Sequence, residues 1–236
     1  MKIIILGAGV TGLSIGRLLN QDHEVTILEQ DSRIGGIAKT RQINGITYHP
    51  VGGHCFNSKY PEVLSFVFSI LPETKWHKVS RLSKINLGNY EVDYPIEFAI
   101  QQIYEHDKHL AHEIVLDFLT TQDEGQYDNL DTWFRKKFGN RLCDLYFLPY
   151  NTKIWGRNPA RMSHEWVEDK LPIPDKQAFI DGLFVSKKDS MPHSWFYYLN
   201  TNDQGNLSEA LADGLHIETN TPATQIIKKN AIWIIN

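Results

Sequence analysis

Gly7-Ala8-Gly9-Val10-Thr11-Gly12, a G-x-G-x-x-G run, is the stretch that decides the fold. The apolar residues 2–6 lead into it, and Leu13, Ile15, Leu18 and Leu19 follow at near-helical spacing within residues 11–20. His23 to Leu28 is a second strand-like run. The first thirty residues therefore predict strand, glycine turn, helix, strand. Each glycine has its own task in such a unit. Gly7 permits the tight turn, Gly9 lets backbone approach a pyrophosphate with no Cβ between, and Gly12 lets helix and strand pack closely. Gly16, one turn on, offers a second close-packing position. Thr11 lies in the first helical turn, whose free N–H groups and dipole favour phosphate. Glu29 ends the second strand, where a carboxylate can accept hydrogen bonds from ribose hydroxyls and would repel a 2′-phosphate.

Composition sets the outer limits. The 236 residues are 42% hydrophobic and 22% charged, with a formal net charge of −4. That balance gives no basic footprint for nucleic acid. No apolar run reaches the roughly 18–20 residues of a membrane span, and Ile3–Leu6 lacks the flanks of a signal peptide. Cys55 and Cys143 stand far apart, outside any CxxC or CxxH context. The expectation is a reduced, cytoplasmic setting without a disulfide framework.

The rest of the chain is read more coarsely. A helix is predicted from Pro61 to Leu71, and a hairpin over 82–94 turning at Leu87-Gly88-Asn89. Residues 95–121 and 129–148 are helical in pattern, with Gly125 in the polar gap between them. An extended segment at 196–200, a helix at 206–213, a strand at 216–219 and ribbons over 224–235 follow. The resulting expectation is an α/β chain: a Rossmann-like part over 1–75, a mostly helical insert over 76–200, and a return to the first domain over 201–236.

Directly after Glu29-Gln30 comes Asp31-Ser32-Arg33-Ile34-Gly35-Gly36. This Arg-x-Gly-Gly resembles the signature of the FAD-dependent amine oxidase and protoporphyrinogen oxidase superfamily, so the implied cofactor is FAD and the implied domain of the GR2 type. On that resemblance, Gln30 belongs to the cofactor contacts, Arg33 faces phosphate charge, and Gly35 and Gly36 run against the cofactor. Gly52-Gly53-His54-Cys55-Phe56 resembles the segment of UDP-galactopyranose mutases beside the flavin ring, which makes Gly53 and His54 cofactor contacts. Pro149-Tyr150-Asn151-Thr152-Lys153-Ile154-Trp155-Gly156 is similar to the Tyr-Thr-x-Lys-Gln-Trp-Gly stretch of the same family. The resemblance implies Tyr150, Lys153 and Trp155 as substrate contacts, with His54 and Trp155 the catalytic candidates. It also implies a nucleotide-sugar substrate, flavin chemistry at the sugar's anomeric carbon, and a place in polysaccharide or lipopolysaccharide biosynthesis.

The sequence departs from that family in places. Asn151 stands for a threonine and Ile154 for a glutamine, while Pro174-Asp175, after Leu171-Pro172-Ile173, occupies the place of a pyrophosphate-binding arginine. Lys176 or Arg161 would have to compensate. The Phe196-Tyr197-Tyr198 and Asn206–Leu211 stretches look more like the oxidase relatives, so an amine or protoporphyrinogen oxidase, a carotenoid-type desaturase, and a non-catalytic nucleotide-binding remnant stay open beside the mutase reading. The family's last FAD segment has no counterpart after Ile235, which carries the expectation of a truncated or split product, a homo-oligomer, or a separately encoded C-terminal segment. His106, His109 and His112 read as a solvated helix face, not a metal site, and Cys55 as a small buried residue.

Overall fold

A computed structural model describes residues 1–168, 170–171, 173–184, 195–230 and 232–236. The contacts divide the chain into two units, Met1–Val79 with Trp195–Asn236, and Ser80–Ser194. In the first unit, strands Lys2–Leu6, Glu24–Leu28 and His216–Glu218 form a parallel sheet in that order. Lys2 pairs with Glu24 through to Leu6 with Leu28, and Thr26 pairs with His216. Helix Val10–Leu19 connects the first two strands as a βαβ unit.

Burial explains why these segments adopt this arrangement. Ala8, Leu13, Val25, Ile27 and Leu211 form a buried cluster, with Ile3, Ile5, Leu19, Phe66 and Ile70 packed on it. The apolar run at the N-terminus predicts a strand covered on both faces, but Ile4 and Leu6 are 47% and 45% exposed. Their strand is at the edge of the sheet, and alternation sends only Ile3 and Ile5 into the cluster. Ile43-Asn44-Gly45-Ile46 joins two short antiparallel strands through two residues with positive φ, the backbone a type I′ hairpin requires. Helix Pro61–Ile70 begins on its proline, and strands Trp76–Ser80 and Trp195–Leu199 pair beside it. Val67, Trp76 and Leu199 are buried there against Phe56, Phe68 and Tyr197.

The second unit has an aromatic core. Trp133, Phe134, Phe138 and Phe147 interlock, and Phe118 stacks on Phe179 at 4.0 Å between ring centroids. Strands Lys84–Asn86 and Glu91–Asp93 form the expected hairpin. The 95–121 stretch is not one helix. It splits into Ile100–His106 and Lys108–Thr120 because the Asp107 side chain turns back to accept from the Leu110 N–H at 2.9 Å, capping the second helix. Asn129 and Thr132 form a reciprocal capping box at the start of Leu130–Phe138. Helical structure then continues from Asn140 past the expected residue 148 to Trp155, through a π turn at Cys143–Phe147, and ends at Gly156 with φ +61. Helix Lys176–Phe184 follows, led by Asp175, whose carboxylate accepts from the Ala178 N–H at 2.6 Å.

The glycine loop separates folding from binding at neighbouring positions. A Cβ on Gly12 would lie 2.0 Å from the Gly7 carbonyl oxygen, whereas one on Gly9 meets only the Gly36 Cα at 3.8 Å. Gly12→Ala is expected to lower stability by about 3 kcal/mol or more, at the upper end of the overpacking range. Gly9→Ala should melt within a few degrees of the parent. Thermal denaturation of the two variants side by side checks the contrast.

Candidate functional site

The first strand delivers its chain into the glycine loop. Gly7 has φ +96 and its N–H donates to the Leu28 carbonyl at 2.7 Å, which fixes the turn to the second strand. Gly9 is extended and precedes helix Val10–Leu19 with no side chain capping that helix. A groove of about 540 Å³ opens there, lined by Gly7, Gly9, Thr11, Gly12, Gly35 and His54 among others. Uncapped N–H groups at a helix start, with no side chain intervening, are suited to an anion.

Glu29 lies beneath this loop, only 5% exposed. One of its carboxylate oxygens accepts from the Ala8 N–H at 2.7 Å and the other from the Asp31 N–H at 2.9 Å. Each oxygen thus has one backbone donor and retains acceptor capacity for a further group. The Gly35-Gly36 pair runs along the loop itself. The Gly35 N–H donates to the Ala8 carbonyl at 2.7 Å, Gly9 and Gly35 form a parallel bridge, and a Cβ on Gly36 would come within 3.0 Å of the Gly9 Cα. A Gly-Gly read as cofactor-facing is therefore also what lets two backbone segments touch.

The other sequence candidates of this unit are placed less centrally. Arg33 is exposed and donates to the Thr40 carbonyl at 3.0 Å, Gln30 is exposed, and Gly53 lies in open space. The His54 ring is 6.1 Å from that of His49, whose Nε2 lies 2.8 Å from the Tyr198 hydroxyl. The sequence does not reveal this pair: His49 lies in no motif, Tyr198 stands out only within Phe196-Tyr197-Tyr198, and 149 residues separate the two. Cys55 is exposed, not buried as expected. It follows Gly52-Gly53, where a Cβ at either glycine would meet no other atom within 4 Å.

In the helical unit, Tyr150 and Trp155 come together on one cavity of about 200 Å³, while Lys153 is exposed and outside its lining. Tyr150 stacks on Tyr146 at 5.1 Å, and Trp155 meets Trp166 edge-on at 5.0 Å. Asn151 orients Trp155. Its Oδ1 accepts from the indole N–H at 3.2 Å, and its Nδ2 donates to the Phe147 carbonyl at 2.8 Å. The Leu171–Asp175 segment contains Pro172, which lies outside the described residues. Lys176 Nζ donates to the Leu119 carbonyl, and Arg161 is exposed. His106 stacks on Tyr90 and His112 packs beside Tyr104, while His109 pairs with Glu113 on the surface. Among the described residues, no three His, Cys, Asp or Glu are grouped to hold a metal ion.

Glu97, which lies outside every motif quoted above, lines the same cavity. Glu97 is 3% exposed, and burial pushes its carboxyl up to about 8, opposed by a hydrogen bond from its own backbone N–H. The signal was available: an acidic residue inside the apolar run Pro95-Ile96-Glu97-Phe98-Ala99-Ile100.

The first unit has the Rossmann-like fold of dinucleotide-binding domains, similar to the FAD-dependent oxidoreductase folds. Residues 5–69 match the family described as NAD(P)-binding Rossmann-like domain. The structure overlays reduced UDP-galactopyranose mutase with a TM-score of 0.84 at 23% identity, covering 95% of this chain and 50% of that one. A protein assigned as a protoporphyrinogen oxidase from Exiguobacterium sp. 255-15 gives 0.72 at 18% identity, covering 100% and 56%. In sequence, 49 residues are 45% identical to 4,4'-diapophytoene desaturase (4,4'-diaponeurosporene-forming) of Staphylococcus aureus (strain COL), 20% of this chain and 10% of that enzyme. The chain therefore spans about half the length of the solved structures it overlays. Among the described residues, no helix is long and apolar enough to cross a membrane.

Two buried carboxylates generate opposite predictions. Glu29→Ala leaves the buried Ala8 N–H without its acceptor and should cost about 1–3 kcal/mol of stability with no ligand present, measured by urea unfolding. For Glu97 the folded carboxyl sits above its ordinary value of 4.5. Its contribution is fully present below that value and is lost as pH rises through about 8. Glu97→Gln should therefore melt close to the parent at pH 5 and above it at pH 9.

Proposed function

We propose that the protein binds FAD through its first unit and acts on a nucleotide sugar held by its helical unit, as a relative of the UDP-galactopyranose mutases. The observation that carries this reading is the glycine-floored groove at the start of helix Val10–Leu19, braced by buried Glu29. Backbone N–H groups there take the pyrophosphate, and the free acceptor capacity of Glu29 suits the ribose hydroxyls. Gly9 leaves room for that approach, and Gly12, Gly35 and His54 also line the groove. Tyr150 and Trp155 offer aromatic walls to a ring of the substrate. When bound, reduced flavin supplies the chemistry at the sugar's anomeric carbon, and the chain's task is to position and exclude water. The extent of the overlay with the mutase, across 95% of this chain, supports this choice of substrate class.

A second reading is an FAD-dependent oxidoreductase that takes hydride from its substrate. The 49-residue likeness to a desaturase and the fold shared with the protoporphyrinogen oxidase favour it. The two readings share the cofactor and differ in the reaction. Anaerobic turnover of UDP-galactofuranose after dithionite reduction supports the first, and oxygen- or acceptor-dependent substrate oxidation supports the second.

The cofactor assignment is tested by substitution in the loop. Gly9→Asp places a carboxylate where the pyrophosphate must lie and adds like charge. The protein should remain folded by circular dichroism and lose its flavin absorbance after reconstitution with FAD. A folded Gly9→Asp variant with undiminished flavin content would place the phosphates elsewhere.

A further inference from the structure

We propose that the groove formed by helices Ile100–His106, Lys108–Thr120 and Lys176–Phe184 binds a free fatty acid of medium chain length, with the hydrocarbon chain in the groove and the carboxylate beside Lys108. The inference is independent of the nucleotide-sugar reading. It uses none of the residues that line the cavity at Tyr150 and Trp155.

The groove follows from the break at Asp107. The helices on either side of that break pack against each other, and Ala111 and Val115 lie one turn apart on the inner side of the second. Together with Ile100 they make the floor, where Ile100 and Ala111 are buried. Leu116 and Phe184 make the rim and are 65% and 79% exposed, so the groove is open to a ligand. Lys108, His112 and Leu116 recur every fourth residue along one side, a run of about 12 Å at 1.5 Å per residue. The groove encloses about 660 Å³, within the roughly 300–1,000 Å³ of pockets that hold a whole small ligand.

Its two ends differ in charge. At the Asp107 end the Tyr104 and His112 rings are 5.5 Å apart, and the Lys108 ammonium lies 5.6 Å from the Tyr104 centroid. Among the described residues, no carboxylate is within ion-pair distance of Lys108. His109, on the same helix, already has Glu113, which also holds Arg141. At the other end a Cβ on Gly182 would meet the Phe98 ring at 3.3 Å, which sets Leu183 and Phe184 beside Ile100. Among the described residues, no charged side chain lines the groove there. A cation at one end of an apolar trough complements an amphipathic anion.

The floor decides between a chain and its rivals. Ile100, Ala111, Val115 and Leu183 are aliphatic and present no flat face for a stacked ring, whereas a flexible hydrocarbon chain follows them. The floor is also recessed. A bilayer surface would touch the rim at Leu116 and Phe184, while a single chain reaches Ala111.

The test titrates the full chain with decanoate and hexanoate by calorimetry. Decanoate should bind one to one and at least tenfold more tightly than hexanoate, since each buried methylene is worth about fourfold. Lys108→Gln should weaken decanoate about two- to fivefold, the scale of an exposed ion pair, and leave binding of decanol unchanged. Leu116→Glu, at an exposed rim position, should weaken decanoate at least tenfold by removing apolar contact and adding like charge. Absence of saturable decanoate binding, or full affinity in Leu116→Glu, overturns the proposal. Equal loss of decanoate and decanol in Lys108→Gln overturns the placement of the carboxylate and with it the choice of an acid. Two rival occupants would also overturn it. A parent dimer that Leu116→Glu turns into a monomer makes the groove a contact between copies. A chain that floats with phosphatidylglycerol vesicles and takes up no free decanoate carries a membrane patch there instead.

Discussion

The hydrogen bond from the Ala8 N–H to the Glu29 carboxylate carries the tie between the first two strands past the end of their ladder and into the glycine loop. The glycine loop needs an extended, uncapped backbone at Gly9 if it is to receive a ligand, and such backbone has few partners of its own. A buried carboxylate with a second tie to Asp31 fixes the loop from below while leaving its upper face open. Gly35 does the same from the side, through the Ala8 carbonyl. The loop is thus preorganised by groups that do not fill the space above it, and folding supplies the order that binding would otherwise require.

This arrangement divides labour among the glycines. At Gly12 a side chain would collide with a carbonyl, so the constraint is on folding, whereas at Gly9 there is room and the constraint is on what sits above. Gly36 lies against Gly9 and is held at positive φ. One motif therefore contains positions that answer to packing and positions that answer to a ligand. Burial alone would not separate them, and the direction of each missing Cβ does.

The helical unit solves a different problem. Its core is built from large aromatic side chains, and these leave a small cavity where Tyr146, Tyr150, Trp155 and Trp166 do not close completely. A carboxyl in such a place loses the solvation that keeps it ionised, and Glu97 is neutral over much of the physiological range as a result. Asn151 shows how a departure from a family pattern can be accommodated: its amide links the Phe147 carbonyl to the Trp155 indole along one helix face. Asp175, whose charge reads as unfavourable for a diphosphate, serves as a helix cap.

The linear order of glycines, apolar runs and Glu29 determined the opening strand–turn–helix–strand unit, because those features act over a few residues and depend on backbone sterics and local periodicity. Most later elements were legible for the same reason, down to the hairpin at Gly88 and the helix start at Pro61. The break at Asp107 was not, since it depends on one side chain choosing its own backbone over the solvent. Only the tertiary structure could decide what lies across from what. It set Gly35 against Ala8, His49 against Tyr198, and the Glu29 carboxylate under the glycine loop. It also separated Lys153, exposed to water, from Tyr150 and Trp155 on the cavity, although all three share one short motif. The physical reason is that helical rotation assigns neighbours in sequence to different faces, and burial, which fixes the charge of Glu97, is a property of the packed chain.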